Sequence, residues 1–559
     1  MYSVLLTGFS NSVVRVKQEA WESKAGNVQS PLTVLPGGSA LPRRAKLVAL
    51  LAGLAVLTAC GTTVPLAQQQ ASSGTQGLSA PTDAGTAGAG PDAGSAPGAS
   101  GPLSSSPGGS SGGSGAGSGT GPGQQPSTAS AAAAAAAGIP GSGPGWDVGH
   151  VYIGIPTADD FDTTVRAAGA SSSNGDVHGD INAIVASINQ AGGVLGRKVV
   201  AIYHDAKTTD YAYNAAGTAQ AMCTYFTQDR PVAAVVNGSP QLDGAPNFHS
   251  CLESKKVSLL SLANTDYTDA DYQRLGPHLW TTGSLSTDVL VPSFVSALGR
   301  QHFFTPWDVR AGAAGVTPAK VGALLPDTPQ GRHVGVLMDA SLKKLGLKLD
   351  SSFYYDPVGL GSKSQAEVLQ FSSAGITHLL DLPPIAAEIW LFQAAAEQQQ
   401  YRPRYGFTSF NLPLSVEENS SVVPPRQQIG SMGIGWQPYN DTNATHDQGP
   451  TPGSPRCLSA LARGGQKFSS TQRRGELIAV QLCDSIFLLR DAFLEGRGFT
   501  GSHLLAGMPL AGPRLPTAGT FSGGLSSTDH GMPGSYRAEL YQSACSCFTY
   551  IGATQRFAR

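Results

Sequence analysis

Ile188-Asn189-Gln190-Ala191-Gly192-Gly193-Val194-Leu195-Gly196-Arg197-Lys198 is where one pattern of apolar residues gives way to another. Upstream of it Ile181, Ile184, Val185 and Ile188 recur at i, i+3, i+4 and i+7, the spacing of one helix face. Gly192 and Gly193 end that helix, because glycine reaches positive φ without a Cβ penalty. Downstream, Lys198 to His204 (KVVAIYH) reads as a strand that ends at Asp205. The stretch therefore predicts helix, tight turn and strand in close succession, the unit of an alternating α/β fold.

Working outward, His150 to Ile155 is a short apolar strand before the helix, and a second helix runs from about Tyr211 to Phe226. Pro231 to Asn237 (PVAAVVN) and Val257 to Ala263 (VSLLSLA) are further strands, with a polar helical stretch around Phe248 to Ser254 between them. Strands that are apolar on nearly every residue and alternate with helices indicate a parallel sheet covered on both faces. The alternation resumes after His278 to Thr282. Val321 to Leu325, Ser352 to Tyr355, Thr377 to Leu382 and Tyr405 to Phe410 read as strands, separated by helices over 331–345, 364–371 and 385–398. Gln427 to Trp436 is a candidate strand, Glu476 to Glu495 a long helix, and 513–550 a tail of short strand-like pieces. The expectation is an α/β protein of two doubly wound parallel-sheet lobes.

The folded region is some 410 residues, more than one hydrophobic core usually serves. A net charge of −2 with 13% charged residues and no basic stripe argues against a nucleic-acid binder. No G-x-S-x-G, H-E-x-x-H, G-x-x-x-x-G-K-[ST] or Cys-x-x-Cys set is present, so no catalytic residue, cofactor or metal site is expected. The adjacent pairs His204-Asp205 and His446-Asp447 point apart on a strand or are solvated in a loop, and read against a metal site.

Far upstream, Arg43 to Cys60 (RRAKLVALLAGLAVLTAC) has a basic start and an apolar run, Leu47 to Leu57, too short to span a bilayer. Its end, Leu57-Thr58-Ala59-Cys60, resembles the lipobox of bacterial lipoproteins, in which the Cys is lipidated and becomes the mature N-terminus. The expected organisation is a non-structural extension over 1–42, a lipoprotein signal peptide over 43–59, and a lipid-bearing Cys60 leading a Gly/Ser/Ala/Pro tether to 147. Such a tether has almost nothing to bury and stays disordered, with a mean reach of about 50 Å. Of the seven cysteines, six remain beyond Cys60. In an exported, oxidising setting, neighbour pairing is the simplest of the fifteen connectivities: Cys223 with Cys251, Cys457 with Cys483, and Cys545 with Cys547. The last two, so close together, could equally be free thiols or pair elsewhere.

The quoted stretch, with His204-Asp205-Ala206 after its strand, resembles the first helix-turn-strand of the leucine/isoleucine/valine-binding type of periplasmic solute-binding protein. The resemblance holds in element order from Val151 to about Phe410 and is weaker beyond. It implies a type I clamshell over 148–559, with lobe 1 at about 149–283 and 411–510 and lobe 2 at about 284–410 and 511–559. It also implies an extracytoplasmic, membrane-anchored lipoprotein that takes a small-molecule ligand to an ABC transporter permease. A ligand-sensing receptor and a cell-surface enzyme are the alternatives. Ligands in such folds sit beyond the carboxyl ends of strands, which selects Ser239, Asn264, Thr265, Gln330, Asp381 and Phe410. Relatives that bind branched-chain amino acids hold the carboxylate with lobe 1 hydroxyls and backbone, and the ammonium with an acid and aromatic walls from lobe 2. Ser239 and Thr265 keep the first half. Gln330, Leu382-Pro383-Pro384 and Phe410-Asn411 depart from the second, with Asp381 or Asp327 as substitutes for the acid, so a small polar organic ligand other than leucine, isoleucine or valine is expected.

Overall fold

The computed structural model describes residues 140–163, 173–242, 246–262, 265–357, 361–382, 386–446, 450–469 and 472–559. The expected extension, signal peptide, Cys60 and most of the tether lie outside the described residues. Among the described residues no helix is long and apolar enough to cross a membrane.

The glycine-marked turn is built for close packing. Helix α1, Val177–Gln190, starts at Asp176, whose carboxylate accepts from Gly179 N–H at 2.9 Å, and buries Ile181, Ile184, Val185 and Ile188. Gly193 returns a hydrogen bond to the Ile188 carbonyl at φ 72°, and a Cβ there would lie 2.1 Å from the Arg197 carbonyl oxygen, so no other residue fits. The Asn189 side chain bonds both N–H and C=O of Val199, fastening the end of α1 to the next strand.

Five strands form the first sheet: β1 His150–Ala158, β2 Lys198–Ala206, β3 Ala234–Val236, β4 Ser258–Ser261 and β5 Leu279–Thr281. They are all parallel, in the order β2-β1-β3-β4-β5. Ile153 and Val236 bury one face of it with α1, and Val235 and Leu259 bury the other with Phe226 and Phe248. After a two-residue ribbon, β6 Trp307–Asp308 with β7 Ala313–Ala314, come β8 Val321–Pro326, β9 Leu349–Tyr355, β10 His378–Asp381, β11 Arg404–Thr408, β12 Met432–Gly435, β13 Ser535–Gln542 and β14 Cys547–Arg556. These seven make the second sheet, in the order β14-β13-β12-β11-β10-β8-β9. Its first five strands in sequence are parallel, and β13 and β14 add an antiparallel hairpin at one edge. The tail expected to be short pieces thus contributes two long strands.

Three further helices, α2 Asp269–Leu275, α3 Thr287–Arg300 and α4 Pro329–Lys343, bring the lobes into contact, and the long α5 Arg473–Gly496 packs on α1 in the first lobe. The chain crosses between lobes three times. Trp280, Tyr439 and Met532 belong to the core of the first lobe, whereas Leu285, Trp436 and Tyr536 belong to the second. The crossings are tied together by Trp436 Nε1 and Gln437 Nε2 donating to the Gly283 carbonyl, at 3.0 and 2.5 Å, and by Met532 N–H donating to Thr281 O at 2.8 Å. The lobe boundaries expected at 411 and 510 are corrected to about 436 and 532. After β11 the chain stays in the second lobe because Asn411 caps Thr408 and bonds Asp381, and β12 then pairs with β11 in parallel.

Among the described residues three disulfides are present, Cys223–Cys251, Cys457–Cys483 and Cys545–Cys547.

Candidate ligand-binding site between the lobes

On the first lobe, Ser239 follows β3 and Thr265 follows β4, and both are buried. Ser239 N–H donates to the Asn237 side chain at 3.1 Å, and its Oγ accepts from Ala158 N–H at the end of β1 at 2.9 Å. Thr265 exchanges bonds with Ser284: its N–H donates to Ser284 Oγ at 3.1 Å, and that hydroxyl donates to the Thr265 carbonyl at 2.9 Å. The first lobe's hydroxyls therefore knit its own loops to one another. Asn264 lies outside the described residues.

On the second lobe, Gln330 sits in the first turn of α4 and reaches across to the first lobe, where Nε2 donates to Asp271 Oδ1 of α2 at 3.0 Å. Burial alone would raise the Asp271 carboxyl; bonds from Arg274, Thr268 and Gln330 outweigh it and hold the group below its usual value. Beside this contact, Asp269 N–H donates to Asp288 Oδ2 of α3 at 2.9 Å, and His333 Nε2 lies 2.8 Å from Asp288 Oδ1. A groove of about 390 Å³ runs along these residues.

Asp381 ends β10 and is buried. Asn411 Nδ2 donates to its Oδ2, while Oδ1 has no hydrogen-bond partner among the described residues. Burial, then the charge of Glu388, pushes this carboxyl well above its usual value. Phe410 is not a cleft residue: it is fully buried in the second lobe's core, edge-on to Trp436 with ring centroids 5.1 Å apart. Pro383 and Pro384 lie outside the described residues. Asp327 pairs with Arg332 at 2.6 Å on the surface, away from a buried role.

Sequence reasoning missed two residues. Asp266, one position beyond Thr265, is buried on the first lobe, and burial, with Asp271 adding, pushes its carboxyl up to about 7. Tyr355 ends β9 on the second lobe with its hydroxyl buried and unpartnered among the described residues. Its pKa is driven well up by burial first and then by the charges of Asp381, Glu388, Asp266 and Glu367. Behind them Glu367 is pushed up to about 9 by burial and by Glu388. The signal was available in both cases, since Tyr355 is the last residue of a strand and Asp266 lies in the loop beyond one. Asp266 was hidden in Asn264-Thr265-Asp266-Tyr267-Thr268-Asp269, where every residue also suits a turn.

The fold is that of the type I periplasmic solute-binding proteins of ABC transporters. A solute-binding protein of an ABC transporter from Rhodopseudomonas palustris HaA2, in complex with p-hydroxybenzoic acid, superposes with a TM-score of 0.52 at 12% identity, over 73% of this chain and 98% of that one. A fatty acid ABC transporter substrate-binding protein from Thermomonospora curvata gives 0.50 at 14% identity, over 75% and 95%. A branched chain amino acid ABC transporter protein from Thermus thermophilus with bound valine gives 0.50 at 12%, over 73% and 97%. No protein-family model and no curated protein matches the sequence.

Proposed function

We propose that this protein is an extracytoplasmic solute-binding lipoprotein, anchored through Cys60, that closes its two lobes on a small polar organic ligand and presents it to an ABC transporter permease, with no catalytic step of its own. The fold supports the clamshell, and the lipobox and tether support the anchor. Ligand binding would shift the open–closed equilibrium by its differential affinity for the two states.

One observation carries the ligand class: at strand ends of the second lobe Asp381 and Tyr355 each keep a buried polar atom unpartnered among the described residues, while the first lobe buries Asp266 one position beyond Thr265. Buried carboxyls without a countercharge stay protonated at a free-energy cost. A ligand bearing an amine, or another strong hydrogen-bond donor, restores their ionised form and gains charge-assisted bonds. The reading therefore favours an amine- or donor-bearing ligand over an aliphatic amino acid held mainly by an apolar pocket. A thermal-shift screen of the folded region tests it, because a ligand at 100 times its Kd stabilises by about 2.7 kcal/mol. Small amines and polyhydroxylated solutes are expected to shift the melting temperature, more strongly at pH 8 than at pH 5.5, and Asp381→Asn to reduce the shift. A clear shift with leucine or valine at micromolar concentration overturns the ligand reading. Acyl labelling of the wild type but not of Cys60→Ala is the expected result for the anchor.

A further inference from the structure

At the edge of the second sheet, the tip of the β13–β14 hairpin meets the turn that follows the second crossing. Cys545 is exposed there, Cys547 is buried, and His446 ends the turn Ala444–His446. One ligand atom from each of the three lies within 4.8 Å of the other two. The imidazole is held by a relay. Asn443 Oδ1 accepts from the backbone N–H groups of Thr445 and His446 at 3.1 Å each, while its amide nitrogen donates to Glu417 Oε2 at 2.9 Å. The amide orientation is thereby fixed, and the His446 Nδ1 lying 2.9 Å from that oxygen must carry the proton. Nε2 then turns its lone pair toward Cys547 Sγ, 3.8 Å away. Glu417 closes the relay by accepting from Phe548 N–H at 2.5 Å, on the strand that carries Cys547. An imidazole whose outer nitrogen is fixed in this way is oriented as metal-ligating histidines are.

We propose that Cys545, Cys547 and His446 form a redox-gated site for a thiophilic d¹⁰ cation, Cu(I) or Zn²⁺. As a disulfide the two sulfurs are not thiolate ligands. Thiol–disulfide exchange with a dithiol reductant transfers two electrons and two protons: the Cys545–Cys547 bond breaks, both cysteines become thiols, and the reductant leaves as its own disulfide. The cation then displaces the two thiol protons and binds the two Sγ atoms and Nε2. Donors at the usual 2.0–2.3 Å from such a cation stand roughly 3.5–4 Å apart, a spacing this cluster reaches without moving its backbone far. Two thiolates and an imidazole select Cu(I) or Zn²⁺ over magnesium or calcium. A purely structural bridge is the competing account. It is the weaker one, because the hairpin is already zipped by backbone pairing up to Gln542 opposite Cys547, so the bridge adds little constraint. The exposure of Cys545 gives reductant and cation access.

The test uses the purified chain, treated anaerobically with a mild dithiol until two thiols per chain are gained over the untreated protein, and titrated with Cu(I) against a chromophoric chelator and separately with Zn²⁺. One equivalent is expected to bind the reduced protein and none the oxidised protein. Co²⁺ as a spectroscopic probe should show sulfur-to-metal charge transfer. His446→Gln leaves the thiol count unchanged and should weaken binding at least tenfold, and Cys545→Ser should abolish the charge-transfer band. Equal binding by oxidised and reduced protein, or unchanged affinity in His446→Gln, overturns the proposal. His446 lies outside the hairpin, so that variant remains decisive even if the cysteine variant perturbs the fold.

Discussion

The two lobes share an architecture but differ in what they bury at the cleft. The first has an all-parallel sheet, two long-range disulfides, and loop hydroxyls that satisfy one another through Ser239, Thr265 and Ser284. The second adds an antiparallel edge, carries the short Cys545–Cys547 bridge, and buries Asp381, Glu367, Glu388 and Tyr355 with polar atoms that lack hydrogen-bond partners among the described residues. Buried, poorly compensated acids destabilise a fold, and they concentrate at functional sites for that reason. The first lobe is not free of them, since neither carboxylate oxygen of Asp180 has a hydrogen-bond partner among the described residues and Asp266 is buried beside Thr265. The division is one of degree: the first lobe is chiefly frame, and the second holds more of the uncompensated acids.

The largest effect that would break this division concerns the disulfides. Cys457–Cys483 ties helix Ser454–Arg463 to α5 across 26 positions, whereas Cys545–Cys547 spans only 2. Loop-closure entropy puts the first at about 3.5 kcal/mol and the second at about 1.5 kcal/mol. Urea denaturation of the Cys457→Ala/Cys483→Ala pair is expected to show a loss of that larger order, and the Cys545→Ala/Cys547→Ala pair less than half of it. Equal losses would mean that the second lobe leans on its staple as much as the first does.

A smaller effect sharpens the contrast through pH. Glu367 keeps its proton up to about 9 in the folded chain, through burial first and Glu388 second, while the unfolded chain releases it near 4.5. Between those values the folded state holds the extra proton, so this group's contribution is full below pH 4.5 and is lost as pH rises toward 9. At roughly 1.4 kcal/mol per pH unit, wild type should lose about 2 kcal/mol between pH 6.5 and pH 8 through this group. Glu367→Gln, which mimics the protonated acid, is expected to remove most of that slope. An unchanged slope would place the pH sensitivity in other buried acids, such as Asp484 on the first lobe, whose carboxyl burial also pushes up to about 7.

The frame was far more legible in sequence than the selective half. Ile181, Ile184, Val185, Ile188 and the Gly192-Gly193 stop carry periodicity and backbone geometry, which are local and survive without knowledge of partners. The lobe boundary was misplaced at 411 because it rests on the resemblance, whereas the Asn411 bonds to Thr408 and Asp381 and the pairing of β12 with β11 keep the chain in the second lobe. Phe410 reads as a ligand contact because it ends a predicted strand, yet Trp436, 26 positions on, claims its face. Tyr355 and Asp266 acquire meaning only when two sheets meet. His446 and Cys547, about 100 positions apart, carry no shared motif, so the sequence spoke against a metal where the fold gathers three donors.

The smallest effect concerns the contact that joins the two halves. Gln330 Nε2 donates to Asp271 Oδ1 at 3.0 Å, a neutral donor on a carboxylate that also keeps Arg274 and Thr268 as partners. Removing one donor of several leaves the Asp271 charge compensated, so Gln330→Ala should cost about 1 kcal/mol, and only in the state in which the lobes touch. Because the neighbouring bond from Asp269 N–H to Asp288 persists, the lobes would still close, but the ligand-free population should move about fivefold toward the open form. Small-angle scattering of the ligand-free protein is expected to show a larger radius of gyration for Gln330→Ala, with the midpoint of urea unfolding unchanged. A shifted unfolding midpoint with an unchanged radius would mean that Gln330 supports its own helix and not the closed state, and the link between frame and selective half would then rest on Asp269 and Asp288 instead.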